Sequence, residues 1–319
     1  MMPLLSASGL KKYFAVSGAS ASGSQSAVRA VDGVSFSLER GETLGIVGES
    51  GCGKSTVGKI LLRLVEPDDG AVHLDGEDMA ASGSRLHLLR RNIQMVFQDP
   101  YSSLNPRMKA GAIISEPIQN YKRMSNSEIR AYSLDLLAKV GLPREAADKF
   151  PFEFSGGQRQ RIGIARALAL SPSVIVADEP VSALDVSVQA QVINLLRDLQ
   201  AELNLAYVFI SHDLAVVEHV AHRVAVMYFG RIVEMGSAKS VLKQPHHPYT
   251  KALLAAVPAS HPRMRRRREL LEGDPPSTLR PPKGCAFAAR CPVAIEKCFS
   301  VPPDLREMTS GHESACHLD

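Results

Sequence analysis

No run of 18 apolar residues occurs in this 319-residue sequence, so it offers no helix able to cross a membrane. The opening residues, Met1-Met2-Pro3-Leu4-Leu5-Ser6, lack the charged and apolar regions of a secretory signal, and the expectation is a cytoplasmic protein. A strong charge imbalance is also missing. The 37 basic and 33 acidic residues leave a net charge of +4, too mild to imply nucleic acid. Cysteine is nearly absent from the body of the chain. Cys52 stands alone, and the other four fall in the last 35 residues. In a cytoplasmic chain such thiols are expected to bind metal, to react or to stay inert rather than to form disulfides. Apolar residues are plentiful at 45%, enough for a globular chain with a sizeable core. The length suits one large domain or two smaller ones.

Residues 16–27 are rich in Ser, Gly and Ala and read as a loop. Alternation at Val34, Phe36 and Leu38 predicts a half-buried strand, and Thr43 to Val47 is a short apolar run leading into a Gly-rich turn. A helix is predicted over 125–140. Ser125 and Glu128 form a capping pair, Ile129, Tyr132, Leu136 and Val140 share a face, and Gly141 with Pro143 ends it. Val174 to Ala177 and Tyr207 to Ile210 are unalternating apolar runs, the pattern of parallel strands buried on both faces. With helical stretches between them the core is α/β. Pro and Arg accumulate after about residue 256, with Arg263 and Arg265 to Arg268 nearly consecutive, and a boundary is placed there. The Arg run reads as a solvated linker, with an anionic membrane surface as the alternative contact.

Two segments carry anion-binding chemistry. Gly48-Glu49-Ser50-Gly51-Cys52-Gly53-Lys54-Ser55-Thr56 matches the phosphate-loop pattern between a strand and a helical run. Its backbone N–H groups close around phosphates, Lys54 reaches the β- and γ-phosphates, and the Ser55 hydroxyl ligates Mg²⁺. Val174-Ile175-Val176-Ala177-Asp178-Glu179 is an apolar strand ending in two carboxylates. Asp178 is placed to hold Mg²⁺ and Glu179 to polarise an attacking water. The second anion site is the helix start at Ser155-Gly156-Gly157-Gln158. His212 follows the strand ending at Ile210 and by itself reads as an ordinary surface histidine.

In this order the segments resemble the ATP-binding cassette (ABC) ATPases over about residues 3–256. The resemblance implies a P-loop NTPase cassette, with a RecA-like core, an antiparallel β subdomain and a helical subdomain at about 99–170. A small irregular extension with four Cys would follow at 257–319. It assigns Tyr13 to adenine stacking, Gly48 to Thr56 to Walker A, and Gln98 to the Q-loop, where it touches Mg²⁺ and water. Asp178 and Glu179 become Walker B and the catalytic base. His212 becomes the switch histidine at the γ-phosphate. Ser155, Gly156, Gly157 and Gln158, with Asp185 of the D-loop Ser182-Ala183-Leu184-Asp185, would contact ATP held by a partner cassette. Phe154 stands where the commonest signature has Leu, ahead of the anion-binding residues. No catalytic position is degenerate, so an active ATPase is expected.

Three stretches resemble the dipeptide/oligopeptide permease branch: Gln98-Asp99-Pro100-Tyr101-Ser102-Ser103-Leu104-Asn105-Pro106-Arg107-Met108, His247-Pro248-Tyr249-Thr250-Lys251, and the cysteine tail. The branch implies a second, homologous ATPase, two membrane permeases, an extracytoplasmic peptide-binding protein and a peripheral place on the cytoplasmic face of the inner membrane. Nickel, glutathione or another small solute is the alternative cargo. A soluble non-transport ABC ATPase is the rival class. Its repair type is opposed by the separation of Lys54 and Asp178, only 124 residues apart with no extended heptads, and its translation type by the single cassette. The tail spacing, Cys285-x5-Cys291-x6-Cys298-x17-Cys316, has the ligand count of a 4Fe–4S cluster, and Cys291 precedes Pro as in some ferredoxin runs. Some members of the branch carry such a cluster. Zinc, with His312 or His317 as further ligands, and an unmetallated or disulfide-bonded tail are the alternatives. Cys52 reads as a small filler of the phosphate loop, or as a reactive thiol if the helix N-terminus lowers its pKa.

Overall fold

The computed structural model describes residues 2–15, 27–80, 82–121, 124–256 and 281–318. The predicted loop at 16–27, except Ala27, and the Arg run at 263–268 lie outside them. The strands are β1 Leu5–Ala15, β2 Ala27–Leu38, β3 Thr43–Val47, β4 Asp69–Leu74, β5 Glu77–Asp78, β6 Ile93–Val96, β7 Val174–Asp178, β8 Ala206–Ser211, β9 Arg223–Tyr228, β10 Arg231–Ser237, β11 Arg306–Thr309 and β12 His312–Ser314. The α-helices are α1 Lys54–Leu61, α2 Gly83–Asn92, α3 Pro100–Ser103, α4 Ala110–Tyr121, α5 Asn126–Lys139, α6 Gly156–Leu168, α7 Val186–Leu203, α8 Leu214–Val220, α9 Ala238–Lys243, α10 Pro248–Ala256 and α11 Glu296–Ser300. Among the described residues no helix is long and apolar enough to cross a membrane. The chain divides into two compact units, each discontinuous in sequence.

The first unit comprises Met1–Leu5, Leu38–Glu42 and Leu74–Ile210. Here β6, β7 and β8 are parallel, with Met95 opposite Val176 and Val176 opposite Val208. Every residue of β7 and β8 is buried, as their unalternating apolar runs require. Helices α3 to α6 form the helical part. The predicted capping box of α5 is present. Ser125 Oγ accepts from Glu128 N–H at 3.3 Å, and the Glu128 carboxylate accepts from Ser125 N–H at 2.8 Å. Ile129, Leu136 and Val140 of its predicted face are buried, joined by Ser133 and Leu137, and Tyr132 is half-buried.

The second unit comprises Ser6–Ser37, Thr43–His73 and Ser211–Asp319. Strand β3 runs parallel to β9, and β10 returns antiparallel along β9. The tail is only partly irregular: it adds α11 and the antiparallel pair β11 and β12, and β12 pairs with β10 at Glu234↔Ser314. A second sheet places β1 between β2 and β4. In β2 the predicted inward residues Val34, Phe36 and Leu38 are all buried. Glu234 anchors the tail from below. Its side chain is fully buried and accepts from the N–H groups of His246 (2.7 Å) and His247 (3.1 Å), and it shares a 2.8 Å hydrogen bond with His312 Nε2. A buried carboxylate requires such partners.

Candidate functional site

The phosphate loop links β3 to α1. Gly53 takes φ +105°, a conformation open to glycine, and a Cβ there would lie 2.0 Å from the carbonyl oxygen of Ala30 in β2. The loop is therefore pressed onto a neighbouring strand. Lys54 is buried, and its Nζ donates to Gly48 O (2.8 Å) and Glu49 O (2.9 Å). An ammonium has three donors, and the third goes to the Cys52 sulfur, a weak acceptor that a phosphate oxygen would displace. The Cys52 thiol lies 3.8 Å from Lys54 Nζ. Burial pushes this thiol up from its ordinary pKa, against the opposing pull of Lys54. The reactive reading of Cys52 is corrected on this ground: desolvation outweighs the nearby positive charge.

Tyr13 stands near the end of β1. Its hydroxyl donates to Asp32 at 2.6 Å, and the Arg29 guanidinium lies 5.5 Å from the ring centroid. Burial and the bond to Asp32 push the phenol up to about 12. Burial works to raise Asp32 in turn, but hydrogen bonds from Tyr13 and Arg231 win and hold its carboxyl below the usual range. Sequence reading missed Arg29, Asp32 and Arg231. Their type carries no motif, and only the fold gathers them around Tyr13.

In the first unit Gln98 and Glu179 meet. Gln98 Nε2 donates to Glu179 Oε2 at 3.0 Å. Asp178, the last residue of β7, is buried. Glu179 follows it at φ +45°, a left-handed conformation costing of order 1–3 kcal/mol for a non-glycine residue. Two bonds fix the turn around it. Glu179 N–H donates to Ile210 O at 2.9 Å, and the Ser182 hydroxyl of the D-loop donates to Glu179 O at 3.1 Å. In the second unit His212 is exposed and precedes Asp213, whose carboxylate caps α8 by accepting from Ala215 and Val216 N–H.

The helix start at Ser155 has the predicted form. Ser155 Oγ accepts from Gln158 N–H at 3.3 Å, and Gln158 Oε1 accepts from Ser155 N–H at 3.0 Å. This box engages the Ncap and third N–H groups and leaves those of Gly156 and Gly157 pointing out of the helix end. Gly157 lets α6 approach α7: a Cβ there would lie 2.4 Å from Val188 Cγ1. Asp185 caps the start of α7 without a side-chain hydrogen bond. Two arginines of α6, missed from sequence, hold the segment after Gln98. The Arg159 guanidinium lies 3.7 Å from the Tyr101 ring centroid, and Arg166 donates to Ser103 O at 2.6 Å.

The four tail cysteines are free thiols and close enough to act on one another. Burial pushes Cys285 up, and Cys298, Cys291 and Cys316 push the same way. A cluster needs thiolates in a convergent ligand set. Among the described residues no group of three or more His, Cys, Asp or Glu side chains is arranged to hold a metal ion. The arrangement therefore lends no support to the expected 4Fe–4S cluster or to zinc with His312 or His317. The His317 Nε2 instead bonds Val301 O at 2.8 Å and His312 is committed to Glu234.

The family described as "ABC transporter" matches residues 31–182. A dipeptide transport ATP-binding protein of Haemophilus influenzae is 55% identical over 99% of this chain and 97% of its own length. The chain belongs to the ABC transporter family. A second family, "Oligopeptide/dipeptide transporter, C-terminal region", matches residues 233–298 of this ABC protein. An oligopeptide transport ATP-binding protein of Bacillus subtilis is 52% identical over 97% of this chain and 95% of its own. A solved ATP-binding cassette, dimeric in a post-hydrolysis state with ADP and Pi, aligns with TM-score 0.65 and 29% identity over 73% of this chain and 98% of that one.

Proposed function

We infer that this chain is the ATP-hydrolysing subunit that powers import of di- or oligopeptides through an ABC transporter. The observation that carries this reading is the near full-length identity to dipeptide and oligopeptide transport ATP-binding proteins. Lys54 offsets charge on the β- and γ-phosphates, and Tyr13 stacks on adenine. Glu179 accepts the proton of the attacking water, oriented by the Gln98 bond to its Oε2. His212 contacts the γ-phosphate. Magnesium held on nucleotide phosphates requires only one or two protein carboxylates, and Asp178 is of that type, with Ser55 and Gln98 as neutral oxygen ligands. When bound, the ion would neutralise phosphate charge.

Ser155, Gly156, Gly157, Gln158 and Asp185 serve a second nucleotide, held by the partner cassette. The two outward N–H groups of α6 and the helix dipole supply the anion site. The partner is a second homologous ATPase, and the pair sits on two membrane permeases fed by an extracytoplasmic peptide-binding protein. The chain is peripheral on the cytoplasmic face of the inner membrane. Co-expression with the neighbouring permease genes and reconstitution into vesicles tests this. Peptide-stimulated ATP hydrolysis with peptide uptake is expected. Uptake of nickel or glutathione in place of peptide would move the assignment to the alternative cargo. Copurification with RNA and no permease would overturn it.

A further inference from the structure

Two segments that the ATPase mechanism leaves unused, the His247–Lys251 stretch and the cysteine tail, meet at one residue of the phosphate loop. That residue is Glu49. Its N–H donates to the Tyr249 hydroxyl at 2.9 Å. Its carboxylate accepts a two-pronged bond from Arg290, Nη1 to Oε2 at 2.9 Å and Nη2 to Oε1 at 3.0 Å. Its carbonyl accepts from Lys54 Nζ at 2.9 Å. Every polar group of Glu49 is thereby engaged, its carbonyl also accepting from Cys52 N–H at 3.3 Å, and two of its anchors, Tyr249 and Arg290, come from the C-terminal part of the chain.

Both anchors are themselves fixed. Tyr249 is fully buried and packs against Tyr228 and Phe287, at ring-centroid distances of 4.5 and 5.4 Å. Its N–H donates to His247 Nδ1 at 3.1 Å, and His247 hangs by its own N–H on Glu234. Arg290 closes the short turn Ala288–Arg290 that leads into Cys291, and its side chain is only 7% exposed. Nη1 also reaches the Tyr228 hydroxyl at 3.3 Å, while Nε is buried with no hydrogen-bond partner among the described residues. Among the described residues Glu49 is the one carboxylate this guanidinium grips, and the hydrogen bonds that Arg290 donates to it raise the Arg290 pKa.

We propose that Arg290 is a positioning residue for ATP binding: through Glu49 it fixes the backbone of the phosphate loop and the carbonyl that orients Lys54, so that the folded C-terminal extension sets nucleotide affinity. A bidentate charged pair in a mostly buried setting fixes direction as well as distance. A lysine would supply charge without the fork.

The test is calorimetric binding of the Mg²⁺ complex of a non-hydrolysable ATP analogue to the full-length chain. Arg290→Ala is expected to weaken binding about tenfold, in line with loss of a charge-assisted hydrogen bond. Arg290→Lys should recover only part of that. Tyr249→Phe, which keeps the packing and removes the hydroxyl, should weaken binding by a smaller factor, and it carries the test if Arg290→Ala does not fold. The double variant Glu49→Gln/Arg290→Ala should bind no more weakly than the worse single variant. Arg306→Ala is the control: Arg306 bonds Cys316 O inside the extension, and its loss should leave affinity unchanged. Folded Arg290→Ala and Tyr249→Phe proteins that both bind within twofold of wild type would overturn the proposal. So would an equal loss in Arg306→Ala, which would assign the effect to general folding of the extension.

Discussion

Gly157→Ala separates the position of α6 from its stability. A Cβ at 157 would lie 2.4 Å from Val188 Cγ1, against the 3.4 Å where ordinary contact begins, so about 1 Å of separation is required. Val188 sits in the first turn of α7 and is β-branched, so a change of its χ1 is resisted. The start of α6 gives way instead. Two energies oppose each other. Replacing Gly by Ala inside a helix gains about 1 kcal/mol, and overpacking costs about 1–3 kcal/mol. Stability should therefore change by less than about 2 kcal/mol. The rate should not be spared, because a misplacement of about 1 Å in a reacting assembly costs on the order of 100-fold. Gly163→Ala, six residues on in the same helix, is the contrast. A Cβ there meets nothing within 4 Å, so only the propensity gain of about 1 kcal/mol applies. The assays are thermal unfolding of the purified chain and phosphate release by the reconstituted transporter. Gly163→Ala should melt higher and hydrolyse ATP like wild type. Gly157→Ala should melt near wild type and lose most turnover. Full turnover in Gly157→Ala would refute the reasoning.

Gly53→Ala should abolish nucleotide binding, since its Cβ would fall 2.0 Å from a backbone oxygen at a positive φ; measurable binding near wild-type affinity in a titration would contradict this. Cys52 in the folded chain should alkylate at pH 8 far more slowly than in urea, because burial raises its pKa and leaves little thiolate, and mass spectrometry of the labelled peptide reads the ratio. Equal rates would remove the buried-filler reading. Glu234→Ala should destabilise the chain by about 3 kcal/mol or more, since it removes the acceptor shared by the buried His247 N–H and His312 Nε2 and the half-buried His246 N–H, and a melting temperature within a degree of wild type would count against the hub.

What the sequence made legible was local. The capping pair of α5 lies three residues apart and the β7 and β8 runs are contiguous, so each could be read in a short window. The phosphate loop and the Asp178-Glu179 pair are legible for the same reason. The anchors of Glu49 were not. Tyr249 is 200 residues from it and Arg290 is 241, and a contact at that separation leaves no period in the chain. The β11 and β12 pair escaped because β11 is largely exposed and shows no alternation. Cysteine count and spacing invited a metal, yet spacing carries no information on whether the thiols converge with the geometry of ligands. Arg159 and Arg166 were visible as residues, but their grip on Tyr101 and Ser103 depends on how α6 packs.

Glu179, held by Gln98, is proposed to take the proton of the water that attacks ATP. Single-turnover hydrolysis by the assembled transporter carrying Glu179→Gln tests it most directly. The account predicts that the variant binds ATP, releases no phosphate over many wild-type turnovers and stays in the closed, ATP-bound pair. Phosphate release at the wild-type rate would contradict it.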